Sequence, residues 1–107
     1  MIDPSARLMQ LRQMQKDDPS DAFIAYGVAM ELSRLGNAAE AIAAYQQLLR
    51  DHPDYAAAYF MCGRTLEQTG QTDAAADMYR TGVATAQRAG DTHAAGEMQA
   101  ALDALTP

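Results

Sequence analysis

Residues 20–53 read SDAFIAYGVAMELSRLGNAAEAIAAYQQLLRDHP, and residues 54–87, which follow directly, read DYAAAYFMCGRTLEQTGQTDAAADMYRTGVATAQ. We call the shift that places residue 20 on residue 54 the repeat offset. It brings identical residues together at several positions: Pro19 and Pro53, Ala22 and Ala56, Leu32 and Leu66, Gly36 and Gly70, Ala41 and Ala75, Tyr45 and Tyr79. A fixed period of this length is typical of proteins that stack one supersecondary unit on the next. The sequence therefore predicts a repeat protein.

Each unit is predicted to be a helical hairpin with a tight turn. Between residues 20 and 35 the apolar side chains recur at the spacing of one helix face. Gly36 then provides the left-handed backbone that commonly ends a helix. Asn37, with Glu40 three residues later, forms a capping-box pattern that predicts the start of the second helix. Pro53 ends that helix, because the residue before a proline is pushed out of helical geometry.

The second unit follows the same plan with one departure. Gly70 is the predicted helix stop, and Asp54 and Thr72 are the predicted caps of the two helices. Gln87 stands where the first unit has Pro53, so the last helix of this unit is predicted to be longer.

A shorter helical pattern flanks the two units on each side. Residues 4–16 have an apolar stripe at helical spacing, made of Leu8, Leu11 and Met14. A last helix is predicted after Gly90, with Asp91 or Thr92 as its cap. Residues 1–107 are therefore predicted to form a single all-α domain of about six helices.

Composition excludes several classes of partner and compartment. The chain has 107 residues and a net charge of −6, which disfavours nucleic acid and anionic membrane surfaces as ligands. It has no apolar run near the roughly 20 residues that a membrane-spanning helix needs, and residues 1–10 lack the pattern of a secretory signal. The single cysteine, Cys62, rules out an internal disulfide and suits a reducing compartment, so a cytoplasmic location is expected.

The repeated positions resemble those of the tetratricopeptide repeat family, whose 34-residue unit is a helix-turn-helix. The second unit matches the family pattern at Tyr59, Gly63, Leu66, Gly70, Ala75, Tyr79 and, loosely, Gly82. The first unit matches it at Val28, Ala29, Leu32, Gly36, Ala41, Tyr45 and Pro53. The chain departs from the pattern at Ala25, where a large aromatic is usual, and at Arg7, where a small residue is expected.

The resemblance implies a right-handed α-α superhelix of antiparallel helix hairpins. It divides the chain into four parts: a degenerate N-terminal half-repeat at 3–19, repeat one at 20–53, repeat two at 54–89, and a C-terminal capping helix at 90–105. Stacked hairpins bury a continuous core, and the ends of the stack need a polar cover. The two flanking helices are therefore expected to stabilise the fold.

The same resemblance implies that the first helix of each hairpin lines a concave groove for a partner. The predicted groove residues are Phe23, Tyr26, Met30, Arg34, Phe60, Arg64 and Glu67. They lie off the inward stripe of their helices, and exposed apolar clusters tend to mark interaction surfaces. In an alternative interpretation these side chains pack on the N-terminal helix and fill the groove from within.

A non-catalytic interaction scaffold that presents this groove to a peptide or a partner helix is the predicted function. The positions at which some family members grip chaperone tails hold Tyr26, Met30 and Met61, which lack the donors that paired carboxylates require. His52 and His93 have no metal-binding spacing, and no nucleotide or nucleophile motif occurs. We therefore expect no catalytic residue, metal or cofactor. Homo-oligomerisation through the groove or a helix face is the first alternative, and a small-molecule or catalytic helical domain is the second.

Overall fold

The computed structural model describes residues 4–105, and these form six helices without a strand. The helices are α1 (Pro4–Asp17), α2 (Ala22–Arg34), α3 (Ala38–Asp51), α4 (Ala56–Gln68), α5 (Thr72–Arg88) and α6 (Thr92–Leu105). The all-α prediction is confirmed. The helix α5 has 17 residues and α3 has 14, so the last helix of the second unit is longer, as predicted.

The turns that follow α2, α4 and α5 use the same backbone device. Gly36 has a φ of 84°, and Gly70 and Gly90 have similar positive values. The amide of Gly36 donates to the carbonyl of Ser33 (3.0 Å), and the amide of Asn37 donates to the carbonyl of Leu32 (2.9 Å). These two hydrogen bonds satisfy carbonyls at the end of α2 and fold α3 back beside it.

Three of the predicted helix caps are wrong. Asn37 precedes α3 but makes no capping bond, and Glu40 lies near Arg12 of α1 instead (3.6 Å). The helices α4 and α5 follow Tyr55 and Gln71, again without a side-chain cap, so Asp54 and Thr72 do not act as caps. The ψ angle is 65° at Asn37 and 67° at Gln71, short of the extended backbone usual for an N-cap.

Two aspartates do cap helices. The carboxylate of Asp91 accepts the amide of Ala94 (3.0 Å), as predicted for α6. Asp21 accepts the amide of Ile24 (3.1 Å) at the start of α2. Asp21 has the extended ψ of 111° that this bond requires.

The core is a continuous seam between successive helices. Tyr45 of α3 and Tyr79 of α5 are completely buried. Gly63 of α4 lies directly beneath the ring of Tyr79, where a Cβ atom would overlap the ring. The two helices can therefore approach closely because this position has no side chain.

The N-terminal helix is less embedded than the others. It packs against α2 through Leu8 and Leu11, which are half-buried against the core. Met14 was predicted to belong to the same apolar stripe, but 49% of it is exposed. No helix within residues 4–105 covers the side of α1 on which Met14 lies.

Candidate protein-binding surface

The helices α2, α4 and α6 are neighbours along one face of the stack, although they are not consecutive in the chain. A hollow of about 330 Å³ lies on this face, and we call it the central hollow. Its lining residues are Tyr26, Ala56, Ala57, Phe60, Met61, Arg64, Asp91, His93, Ala94, Glu97 and Met98. The hollow has the shape of a surface groove that three helices share.

Two half-buried aromatic side chains provide the apolar part of the central hollow. The ring of Tyr26 lies 5.3 Å from that of Tyr55 and 6.2 Å from that of Tyr45, measured between centroids. The ring of Phe60 meets Tyr79 edge-on at 6.1 Å. Such contacts hold an aromatic side chain in place before any partner arrives. Burial raises the pKa of Tyr26, with a further contribution from Tyr55, so its hydroxyl stays protonated at neutral pH.

The rim of the central hollow carries charges of both signs. The guanidinium carbon of Arg64 lies 6.0 Å from the centroid of Phe60, a distance at which a cation is attracted to the ring face. On the opposite side, Nε2 of His93 lies 2.6 Å from the carboxylate of Glu97. An apolar floor with a charged rim is suited to a peptide, whose backbone and side chains need both kinds of contact.

A second and larger hollow lies between α1 and α2. Its volume is about 650 Å³, and we call it the N-terminal notch. It is lined by Arg7, Leu11, Met14, Phe23, Ile24, Tyr26, Gly27, Met30, Glu31 and Arg34. Phe23 is 75% exposed and Met30 is 40% exposed, so α1 does not cover them.

Arg7, Glu31 and Arg34 form a charged cluster in the lining of the notch, which we call the Glu31 cluster. The side chain of Glu31 is only 6% exposed. Its carboxylate lies between the guanidinium groups of Arg7 (3.4 Å) and Arg34. Arg34 donates two hydrogen bonds to Glu31, one of them at 3.2 Å. The hydrogen bonds from Arg34, with a smaller effect of the Arg7 charge, lower the pKa of Glu31. The cluster therefore holds one carboxylate and two cations at neutral pH.

The seven predicted groove residues are divided between these two hollows. Phe60 and Arg64 line the central hollow, whereas Phe23, Met30 and Arg34 line the notch; Tyr26 lines both. Glu67 lines neither and accepts a hydrogen bond from the hydroxyl of Tyr79.

Two residues of the charged cluster were not among those predicted. Glu31 precedes Arg34 by three residues, which is the spacing of an ion pair on a helix, so a signal for it was present in the sequence. Arg7 reaches Glu31 from another helix, and the spacing of residues along one helix carries no signal for that contact.

The groups with potential reactivity are occupied or covered. Cys62 is completely buried, and burial raises the pKa of its thiol to about 11, so the reactive thiolate is suppressed at neutral pH. His52 lies 3.2 Å from the carbonyl of Ser20, where it connects α3 to the start of the first hairpin. Among residues 4–105, no group of three His, Cys, Asp or Glu could hold a metal ion. In the same range no helix has the length and apolarity needed to cross a membrane.

Comparison with known proteins gives a family and a set of similar folds. The family model of the tetratricopeptide repeat matches residues 26–92. No curated protein matched the chain. The solution structure of a tetratricopeptide repeat domain protein from Salinibacter ruber is 32% identical, with a TM-score of 0.79. The match covers 83% of this chain and 90% of that one.

Two more distant structures contain bound partners. PcrH, in complex with the chaperone-binding region of PopD, has a TM-score of 0.86 at 20% identity, over 92% of this chain and 75% of that one. The TPR2B domain of yeast Sti1, in a complex with pHsp70, has a TM-score of 0.86 at 18% identity. That match covers 92% of this chain and 79% of the Sti1 chain. At these identities the likeness shows the fold alone.

Proposed function

The chain belongs to the tetratricopeptide repeat family, and from this we propose that it is a non-catalytic interaction module that binds a peptide or a partner helix on its concave face. One observation carries the proposal: Tyr26 and Phe60 are held half-buried by tyrosines behind them, yet they line an open hollow. Aromatic groups that are fixed in advance lose little conformational entropy when a partner covers them.

The proposed contacts follow from the chemistry of the seven predicted residues. Tyr26 and Phe60 act as apolar anchors in the central hollow, and Arg64 orients the partner from the rim. Phe23, Met30 and Arg34 extend the surface toward the N-terminal end. Glu67 acts indirectly: it accepts a hydrogen bond from the hydroxyl of Tyr79, whose ring contacts the anchor Phe60. The complexes formed by PcrH and by the Sti1 domain support a protein partner for a fold of this kind.

Self-association stays the second candidate because of one specific observation. The four exposed large apolar side chains within residues 4–105, Met9, Met14, Phe23 and Met30, all belong to α1 and α2. Apolar surface concentrated at one end of a molecule can be covered by another copy. Light scattering across a range of concentrations separates the candidates, since a mass that stays monomeric excludes self-association. The cytoplasmic location stays a prediction from the sequence.

The proposal is tested by affinity capture from a lysate of the source organism with matched variants. We expect Tyr26→Ala/Phe60→Ala to lose partners that the unmodified protein retains, and Met9→Ala, on an exposed side chain outside both hollows, to retain them. Because Tyr26 and Phe60 are half-buried, the fold of the double variant is checked by its melting curve.

An exposed substitution gives a second test that does not depend on packing. Arg64→Glu reverses the charge at the rim of the central hollow and is expected to lose the same partners. Equal recovery by the unmodified protein, the double variant and Arg64→Glu would rule out the central hollow as the binding site.

A further inference from the structure

We propose that the N-terminal notch is a separate docking site, and that it takes an amphipathic helix of a partner protein whose apolar stripe is flanked by carboxylates. The notch shares Tyr26 with the central hollow, and its other lining residues are different. In this inference Phe23, Met30 and Arg34 form a second site and not an extension of the first, so it stands whether or not the central hollow binds a peptide.

The repeat register indicates that the occupant is a helix. Pro4 and Ala38 begin α1 and α3 and are separated by the repeat offset, as are the starts of α2 and α4. The pair α1–α2 thus corresponds to the pair α3–α4. The helix α3 packs against both α2 and α4, whereas α1 has α2 on one side and the open notch on the other. In the pair α3–α4, the corresponding position is filled by α2. In the pair α1–α2, that position is the open notch.

The side chains in the notch fit this correspondence. On α3 the residues Ala41, Tyr45 and Leu48 are buried in the seam between helices. The repeat offset brings Arg7, Leu11 and Met14 of α1 to these positions, and all three line the notch. On α1, Arg7 and Met14 are exposed and Leu11 is only half-buried, because no helix within residues 4–105 covers this side of α1.

The notch presents the residue types that accept a helix. Phe23, Met14 and Met30 are exposed and line it, whereas Met9, the fourth exposed large apolar residue in the described range, does not. Methionine and phenylalanine are favoured at interfaces, and methionine adapts its shape to the side chains that cover it. Gly27 lets α1 and α2 approach closely at the floor of the notch, since a Cβ there would come within 3.3 Å of Leu11.

Charge determines which helix the notch prefers. Arg7 and Arg34 share a single buried carboxylate, so the Glu31 cluster has an excess positive charge. The side chains of Arg7 and Arg34 are 65% and 60% exposed, which leaves guanidinium edges free for a second carboxylate. Residues 4–35 as a whole carry four basic and four acidic side chains, so the excess positive charge is local to Arg7, Glu31 and Arg34 at the notch.

The chain's own C-terminal helix does not match this description. The apolar stripe of α6, with Met98 and Leu102, is already buried against the rest of the stack. The repeat offset brings His93 and Glu97 to the positions of Tyr59 and Gly63, so the outer face of α6 is polar where a repeat helix would pack. A head-to-tail stack of copies would press this polar face onto the apolar side chains of the notch, so α6 of a second copy does not fit there.

Two synthetic helical peptides test the assignment. Both have the same leucine and alanine stripe; one carries glutamates beside the stripe and the other carries lysines. Binding is followed by fluorescence anisotropy of a labelled peptide. We expect saturable binding of the glutamate peptide and at least about tenfold weaker binding of the lysine peptide. Equal binding of both, or no saturable binding of the glutamate peptide, overturns the proposal.

Variants locate the binding on the molecule. Phe23→Ser and Met14→Ser are each expected to weaken binding of the glutamate peptide by about tenfold, and Met9→Ser on the same α1 helix is expected to leave it unchanged. Arg7→Gln should weaken binding and flatten its salt dependence, while Arg34 still pairs with Glu31. Melting curves of Phe23→Ser and Met14→Ser should match that of the unmodified protein, because both side chains are exposed.

Two further outcomes would contradict the assignment. Loss of peptide binding with Phe60→Leu, but not with Phe23→Ser, would place the peptide in the central hollow. A dimer in light scattering that becomes monomeric with Phe23→Ser would assign the notch to a second copy of this chain.

Discussion

Two tyrosines at equivalent positions of the repeat predict opposite effects of the same substitution. Tyr45 and Tyr79 are related by the repeat offset, and both are completely buried. The hydroxyl of Tyr79 donates a hydrogen bond to the carboxylate of Glu67. The hydroxyl of Tyr45 is also buried, and it is the one buried side-chain nitrogen or oxygen of the described residues that has no hydrogen-bond partner. Ser33 occupies the position that corresponds to Glu67, and its shorter side chain provides no acceptor there.

The size of the effect follows from these hydroxyl environments. A buried hydroxyl without a partner costs about 1–3 kcal/mol of folding free energy. Tyr45→Phe removes that cost and keeps the ring, so we expect the free energy of unfolding to rise by about 1 kcal/mol. Tyr79→Phe removes a satisfied hydrogen bond and is expected to lower it by about 1 kcal/mol, since the exposed Glu67 regains water. For a chain of this length a change of about 1 kcal/mol corresponds to a shift of about 4–8 °C in Tm.

Urea unfolding followed by circular dichroism measures both variants against the unmodified protein. A third variant, Ser33→Glu, supplies the missing acceptor and should stabilise the protein with Tyr45 present but not with Tyr45→Phe. If Tyr45→Phe destabilises the protein as much as Tyr79→Phe does, the Tyr45 hydroxyl has a partner in solution and the reasoning is wrong.

Four further predictions concern backbone, charge and end effects. Gly63→Ala should destabilise the protein by about 1–3 kcal/mol in urea unfolding, because the new methyl group overlaps the Tyr79 ring. Gly96→Ala, in the middle of α6 with open space around it, should stabilise it by about 0.5–1 kcal/mol in the same assay, and a loss of stability would contradict the helical environment. Burial raises the pKa of Tyr45 and Tyr79 above the ordinary value of about 10. These groups therefore leave the free energy of unfolding unchanged below about pH 10 and lower it as the pH rises further. The phenolate absorbance of Tyr45 and Tyr79 should appear together with unfolding. Removal of residues 91–107 should lower Tm substantially in thermal unfolding, because α6 covers α5, and an unchanged Tm would refute this role.

The sequence predicts the helices well because their signals are local. The positive φ at Gly36 and Gly70, the long α5 and the buried tyrosines all follow from residue types at fixed spacing. The caps at Asn37 and Thr72 were predicted wrongly because Asn37 has a ψ of 65°, short of extended backbone, and Thr72 is already the first residue of α5. The exposure of Met14 depends on which neighbour α1 has, and that is decided by packing between helices.

The surface was predictable in composition but not in arrangement. Phe23 and Met30 are exposed and Tyr26 and Phe60 are half-buried, which fits positions off the inward stripe of each helix, while their role in binding stays a prediction. Their division into two hollows depends on how α1 meets α2. The Glu31 cluster needs Arg7 from a different helix, and residue spacing along one chain does not encode that contact.

The unequal ends of the stack give it a direction for protein engineering. At the C-terminal end, His93 and Glu97 pair in solvent on the outer face of α6 and would have to be exchanged for packing residues before another hairpin could be appended. At the opposite end, a graft could use Leu11 and Phe23 as they stand, with Arg7 reduced to a small side chain. A longer designed array therefore needs fewer substitutions when the additional hairpin is placed before α1 than when it is placed after α6.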